Sequence, residues 1–262
     1  MTNSQTAASP PLPLSAFGTN HYSQSGEDGV IAKFFEIIGT RSKTRIEFGA
    51  WDGFHLSNTA NLWTSGWKGV LIEGHARRFQ DLERNVRDHD CTCINAYVSR
   101  DGENRLEALL DRHGVGRNID LLSIDIDGND YYIIESLEKL GPRVIVCEYK
   151  PTIPAETDLL AEYGNYFGAS VAALERVARS KSYRLVALTE TNCFFVLDED
   201  FPRFAGNEPA WTGSASTPNS CMSSRHTTAT TCSRARRPTA LTTPTVETWP
   251  VPTFEPRSSR DS

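Results

Sequence analysis

Long hydrophobic runs are missing from this chain. No apolar stretch approaches the ~18–20 residues needed to cross a bilayer, which excludes a transmembrane helix. The first residues carry no basic segment backed by an apolar one, so a cleaved secretory signal is not expected. Cysteine is sparse, with six in 262 residues and no framework spacing, which reads as reduced thiols and a cytoplasmic setting. Cys91-x-Cys93 has no second pair at metal-ligand spacing, so structural zinc is not expected. Neither a Gly-x-Ser-x-Gly elbow nor a phosphate-binding P-loop occurs, which speaks against hydrolase and phosphoryl-transfer chemistry. Basic charge is also in deficit: Lys and Arg number 27 against 33 Asp and Glu, for a net charge of −6. With no basic stripe, nucleic acid is not the expected partner.

The 39% hydrophobic and 23% charged residues suit a globular domain, and the length leaves residues over. Both ends differ from the middle. Residues 1–20 are polar and carry Pro10-Pro11-Leu12-Pro13, which reads as a flexible leader. Residues 212–262 hold 27 Thr, Ser and Pro among 51, too polar to offset their ordering entropy by burial, so a disordered tail is expected there. Its basic residues are all Arg, an abrupt change that a shifted reading frame would explain as well as a functional tail. The folded domain is therefore expected over 21–211.

Within it, apolar runs alternate with helical periodicity. Strands are expected at 44–48, 69–73, 91–99, 121–126 and 143–149, with 184–189 and 193–197 as an antiparallel pair. Helices are expected at 28–38, 59–64, 76–86, 104–112, 131–140 and 169–180. Ser25 and Asp28 have the spacing of a capping box ahead of the first helix. The alternation predicts an α/β fold, a doubly wound, parallel-rich sheet.

Three segments carry acids to strand ends. In Ile46-Glu47-Phe48-Gly49-Ala50-Trp51-Asp52-Gly53 a strand leads into a glycine-flanked turn, where missing β-carbons let backbone approach a nucleotide. The spacing is not the dinucleotide fingerprint, and Glu47 and Asp52 would repel a pyrophosphate; they suit a cationic ligand without phosphates. Val70-Leu71-Ile72-Glu73-Gly74 ends the next strand in an acid, the position that holds ribose hydroxyls in nucleotide-binding sheets. Ser123-Ile124-Asp125-Ile126-Asp127-Gly128-Asn129-Asp130 crowds three carboxylates at the end of the central strand, with Asp125 and Asp127 on one face by alternation. Such crowding needs a cation, a donor or a shared proton. The plainer alternative is a helix-capping turn through Asn129 or Asp130. Glu148 ends the following strand, and a long loop from Pro151 to Gly168 could shape a pocket beside it. His55, Ser57 and Asn58 follow the glycine turn and could line the site, or Ser57 could cap a helix.

Together, Tyr22–Gly29, Ile46–Gly53, His55–Thr59, Leu71–Gly74 and Leu122–Asp130 resemble the FkbM-like methyltransferases of the class I S-adenosylmethionine-dependent superfamily. The resemblance spans roughly residues 20–200. It implies a Rossmann-like seven-stranded sheet of order 3-2-1-4-5-7-6 with one antiparallel strand. It also implies S-adenosylmethionine across the carboxyl ends of the first four strands. On that resemblance Glu47, Gly49, Asp52 and Gly53 would cradle the amino-acid end and Glu73 the ribose. Asn95 and Ala96 would lie near adenine, and Asp125 would close the site beside the methyl group. The Asp-Ile-Asp-Gly-Asn-Asp run departs from the shorter Asp-x-Glu-Gly of better-known members of the wider group, so the acceptor class does not carry over.

Methyl transfer to a hydroxyl is largely a matter of alignment and proton removal. The partner expected is a small-molecule or sugar hydroxyl acceptor, with Asp127 as first choice for the base and Glu148 and His55 behind it. No metal is assigned, although a divalent ion on Asp125, Asp127 and a third oxygen could instead acidify the acceptor. A non-catalytic nucleoside- or protein-binding module of the same fold is the alternative, and a nicotinamide oxidoreductase is disfavoured by the glycine spacing. Nothing in the sequence specifies an oligomeric state.

Overall fold

The computed structural model describes residues 12–206. The expected tail at 212–262 and most of the leader lie outside the described residues.

β1 (Thr44–Phe48) is buried along its whole length, as a strand flanked and covered on both faces must be. It pairs in parallel with β2 (Lys68–Ile72) on one side and β4 (Leu121–Ile124) on the other. β3 (Cys91–Ile94) continues the parallel run beyond β2, and β5 (Val144–Glu148) continues it beyond β4. β7 (Asn192–Leu197) lies antiparallel beside β5, and β6 (Tyr183–Leu188) is antiparallel to β7. The seven strands therefore run 3-2-1-4-5-7-6, the implied order, with β7 the one reversed strand.

Among the described residues six α-helices cover the two faces: α1 (Glu27–Ile38), α2 (Ala60–Trp63), α3 (Ala76–Val86), α4 (Leu106–Arg112), α5 (Asp130–Ser136) and α6 (Val171–Ser180). Side chains alternate across each strand, so Ile46, Ile72, Leu122 and Ile145 pack with α4, α5 and α6 on one face. Val144, Val146, Phe194 and Val196 meet Val30, Ile31 and Phe34 of α1 on the other, and Leu71 meets α2 and α3.

Among the differences from the sequence reading, three have a hydrogen-bonding reason. The capping box is not formed: α1 opens after Gly26 at φ 97°, with no side-chain cap. Asp28 Oδ2 instead accepts the backbone N–H groups of His21, Tyr22 and Ser23 at 2.7, 2.8 and 3.0 Å, tying the incoming segment to the helix. α5 stops at Ser136 rather than 140, because buried Glu107 takes the N–H groups of Glu138, Lys139 and Leu140 at 2.9, 2.7 and 2.7 Å. β3 stops at Ile94, where the Asn95 amide turns to the Glu73 carbonyl at 2.7 Å.

The amino-terminal edge of the sheet is clamped by Arg143. Its buried guanidinium bonds both oxygens of buried Asp200 at 2.9 Å and the Gly39 carbonyl at 2.8 Å. Asp120, alongside, accepts the N–H groups of Arg41, Ser42 and Lys43. Polar groups at this end are spent on the fold. The carboxyl-terminal edge is different.

Candidate functional site

The carboxyl ends of β1, β2, β4 and β5 open onto one edge, the usual ligand edge of a doubly wound sheet. After β1 the chain turns at Gly49, whose φ is 77°. A β-carbon there would stand 1.8 Å from the Asp125 carbonyl oxygen, so this glycine lets the β1 and β4 ends close on each other. Gly53, at φ 90°, would place its β-carbon 3.0 Å from Leu82 Cδ1 and 3.3 Å from Val86 Cγ1, against α3. At both positions the space an added β-carbon would fill is taken by neighbouring protein, Asp125 at Gly49 and Leu82 and Val86 at Gly53.

Glu47 is buried, and its carboxylate takes the Ser57 hydroxyl at 2.8 Å, the Asn58 N–H at 3.0 Å and the Thr59 hydroxyl at 2.5 Å. Burial pushes its carboxyl above the usual range, against those bonds. Ser57 Oγ also accepts the Thr59 and Ala60 N–H groups at 3.2 and 3.0 Å, so it stabilises the start of α2 as well as serving Glu47. The trio braces Glu47 from the loop before α2.

Glu73 has one oxygen on the Trp51 N–H at 2.9 Å and the other on the His75 N–H at 2.7 Å. Each oxygen retains a lone pair. Trp51, in the left-handed region at φ 50°, is covered by the Arg78 guanidinium 3.3 Å from its ring centroid. The His55 ring lies 4.7 Å from the same ring, while the His55 and Phe54 N–H groups bond Asp52 Oδ1 at 2.8 and 3.0 Å. Asn95 braces the carbonyl of Glu73, and Ala96 packs partly buried against the core. Tyr97 lies against Gly74 and is mostly exposed, and with Trp51 and Leu56 it leaves apolar surface at this edge.

Beyond β4 and β5, Asp125, Asp127 and Glu148 each present a carboxylate oxygen, all within 4.8 Å of one another. Strand alternation is not what joins the two aspartates, because β4 ends at Ile124. A left-handed pair, Asp127 at φ 54° and Gly128 at φ 111°, folds the chain back instead. Asp130 holds that turn with a buried carboxylate that accepts the Gly128 N–H at 3.0 Å, so it is neither an N-cap nor a free acid. Asn129 is the N-cap residue of α5, but its side chain accepts the Gly164 N–H at 2.9 Å, binding the long loop onto this edge.

That loop closes a cleft of about 80 Å³ whose walls include Asp127, Glu148, Lys150, Tyr166 and Phe167. Burial first, and then the charges of Glu148 and Asp127, push the Asp125 carboxyl up to about 7. Burial and Asp127 raise Glu148 as well, opposed by Lys150. A carboxyl near neutrality beside an open cleft can exchange a proton with a ligand. Of the three candidate bases, Asp127 and Glu148 are therefore brought together, and His55 lies on Trp51 outside that trio.

Two residues went unread in the sequence. Asn192 faces Glu148 in the β5–β7 register, and buried Glu27 accepts the Asn192 amide at 3.1 Å and the Thr189 hydroxyl at 2.5 Å. Only strand pairing brings Asn192 there, and a lone Asn after a turn carries no signal of it.

No family model matches the chain, and no curated protein is significantly similar to it. Among solved structures, it is similar to a SAM-dependent methyltransferase from Aquifex aeolicus, at 11% identity over 65% of this chain and 88% of that one, with a TM-score of 0.40. A putative O-methyltransferase from Klebsiella pneumoniae is 13% identical over 72% of this chain and 91% of that one, with a TM-score of 0.42. A S-adenosylmethionine-dependent methyltransferase from Clostridium acetobutylicum is 11% identical over 65% and 90%, also at 0.42.

Proposed function

We propose that the chain is an S-adenosylmethionine-dependent methyltransferase of the FkbM-like kind, acting on a hydroxyl of a small molecule or sugar. The observation that carries the reading is the row of carboxylates along one edge of a 3-2-1-4-5-7-6 sheet: Glu73 after β2, Asp125 after β4 and Glu148 at the end of β5. A phosphate-bearing cofactor would meet repulsion there, whereas an ammonium and a sulfonium would be attracted.

The donor set fits the cofactor. Glu73 has an unused lone pair on each oxygen, which suits two ribose hydroxyls. Tyr97, beside Gly74 and exposed, offers a ring to an adenine. Asp52 and Asp125 supply negative charge for the amino-acid end, while Gly49 and Gly53 contribute by keeping the strand end close to its neighbours. Bound S-adenosylmethionine supplies an electrophilic methyl group. The chain's own task is to position the acceptor in the cleft at Lys150, Tyr166 and Phe167 and to take its proton, for which Asp127, exposed at the mouth, is the proposed base.

Calorimetric titration with S-adenosylmethionine and, separately, with NAD tests the reading. The sulfonium cofactor is expected to bind, and Glu73→Ala to weaken it at least ~10-fold, since a bond to a charged group contributes about 1.5–3 kcal/mol. Binding of NAD alone would overturn it. Incubation with methyl-labelled cofactor and a metabolite extract, read by mass spectrometry, then identifies the acceptor.

A further inference from the structure

β1 carries an arginine into the interior. Arg45 is 0% exposed, although a guanidinium keeps its proton inside a protein. Its Nη1 donates to the Val70 carbonyl at 2.7 Å and its Nη2 to Cys91 Sγ at 2.8 Å, while Nε is buried without a partner. Among the described residues no carboxylate bonds it. Glu47, two residues on and on the same face, is taken by Ser57, Asn58 and Thr59, and burial raises its carboxyl toward the neutral form. A buried cation with no anion bonded to it is costly, and here the charge is aimed at a sulfur.

That aim follows from strand register. Arg45 is level with Gly69 of β2, and Gly69 with Cys91 of β3, so the three share one face of the sheet. The glycine puts no side chain between arginine and cysteine. β3 is an edge strand, and Cys91 and Cys93 are both half-buried on that face, packed beside the cluster of Leu71 and Leu82. Burial pushes the Cys91 thiol up, and the charge and hydrogen bond of Arg45 oppose the rise. Cys93 is pushed up to about 11, by burial first and then by Cys91 and Glu83. Two half-buried thiols thus lie two residues apart, and the guanidinium bonds only one of them.

We propose that Cys91 is a site of oxidative modification by hydrogen peroxide, with Arg45 as the positioning residue that selects it and holds the oxidised product. The site is at the amino-terminal side of the sheet, away from the carboxylates of the ligand edge, and it does not rest on the function proposed above. In the first step a sulfur lone pair attacks one peroxide oxygen and the O–O bond breaks. The departing hydroxide takes the thiol proton and leaves as water, so sulfur is oxidised to sulfenic acid and one peroxide is reduced. A second peroxide adds a second oxygen in the same way and gives a second water. The sulfinic acid then loses its proton to solvent, and its anionic oxygens supply the counter-charge that Arg45 lacks.

The test treats the reduced, folded full chain with hydrogen peroxide, traps sulfenic acid with a 1,3-dione, and locates added oxygen among the six cysteines by tandem mass spectrometry. Cys91 is expected to oxidise at least ~10-fold faster than Cys93, the factor that one hydrogen bond to a charged group supplies. Arg45→Gln should erase that preference, with circular dichroism checking the fold. A second measurement keeps Arg45 in place. Cys91→Asp puts a carboxylate where the sulfinate would form, so its urea midpoint should equal or exceed that of wild type. Cys93→Asp, on the same face without a guanidinium bonded to it, should lower the midpoint. That pair decides the matter if Arg45→Gln does not fold. Equal oxidation of Cys91 and Cys93 in the folded wild-type chain overturns the proposal. So does a preference for Cys91 retained in folded Arg45→Gln, or a Cys91→Asp chain destabilised as much as Cys93→Asp.

Discussion

Gly49→Ala separates two accounts of the turn after β1. If the bare position serves a ligand, alanine should leave the fold intact and abolish binding. If it serves the approach of β1 to β4, alanine should damage the fold itself. The structure favours the second. At φ 77° an added β-carbon costs about 1–2 kcal/mol in backbone strain. It would also lie 1.8 Å from the Asp125 carbonyl oxygen, which is backbone and cannot swing aside. Relief requires the strand ends to part by at least ~1 Å in a close-packed interior. That loosens the end of the β1–β4 ladder, whose hydrogen bonds are each worth about 1 kcal/mol. A loss of about 3–5 kcal/mol is expected, the range of severe core lesions. Urea unfolding followed by circular dichroism measures it. Gly53→Ala is the internal comparison: its β-carbon meets the ends of Leu82 and Val86, which can yield, so about 1–2 kcal/mol is expected. A Gly49→Ala protein as stable as wild type but unable to bind S-adenosylmethionine would refute the reasoning.

Other expectations follow from the same structure. Arg143→Met strands Asp200 and Asp120 at the buried edge and should cost about 3–5 kcal/mol in urea unfolding; a loss below about 1 kcal/mol would mean that water replaces the pair. Glu47 titrates above its ordinary 4.5 in the folded state, so its contribution is complete below about pH 4.5 and is lost as pH rises through the raised value. Glu47→Gln removes that slope, and the stability gap between wild type and variant should narrow as pH increases; a gap constant with pH would show that Glu47 ionises normally. Asp127→Asn keeps shape and removes the proposed base, so turnover in the labelled-methyl assay should fall by about 10²–10⁴-fold while cofactor affinity, read by calorimetry, changes little. Full turnover would move the role to Glu148 or remove the need for a base.

How far the chain could be read without coordinates depended on the range of the interaction concerned. The apolar runs at 44–48, 121–124 and 144–148 are local and continuous, and they became strands because burial on both faces demands that pattern. The acids at strand ends were legible for the same reason, since the end of a run marks the edge of the sheet. Boundaries failed where a distant side chain intervened. Glu107 ends α5 from thirty-odd residues away, and no local propensity announces it. The glycines of the first turn were visible, but their purpose was not, because the atom that requires Gly49 to be bare belongs to Asp125.

The sequence by itself determined which segments would be strands and helices, and that carboxylates would gather at their carboxyl ends, because hydrophobic period and chain direction are local quantities. Only the tertiary structure decided what each carboxylate does. Glu47 is consumed by Ser57, Asn58 and Thr59, Asp130 by its own turn, and Asp125, Asp127 and Glu148 are left crowded together. Those assignments depend on which strands lie side by side and in what register, and pairing across the sheet is set by the packing of the whole domain rather than by any one stretch of it.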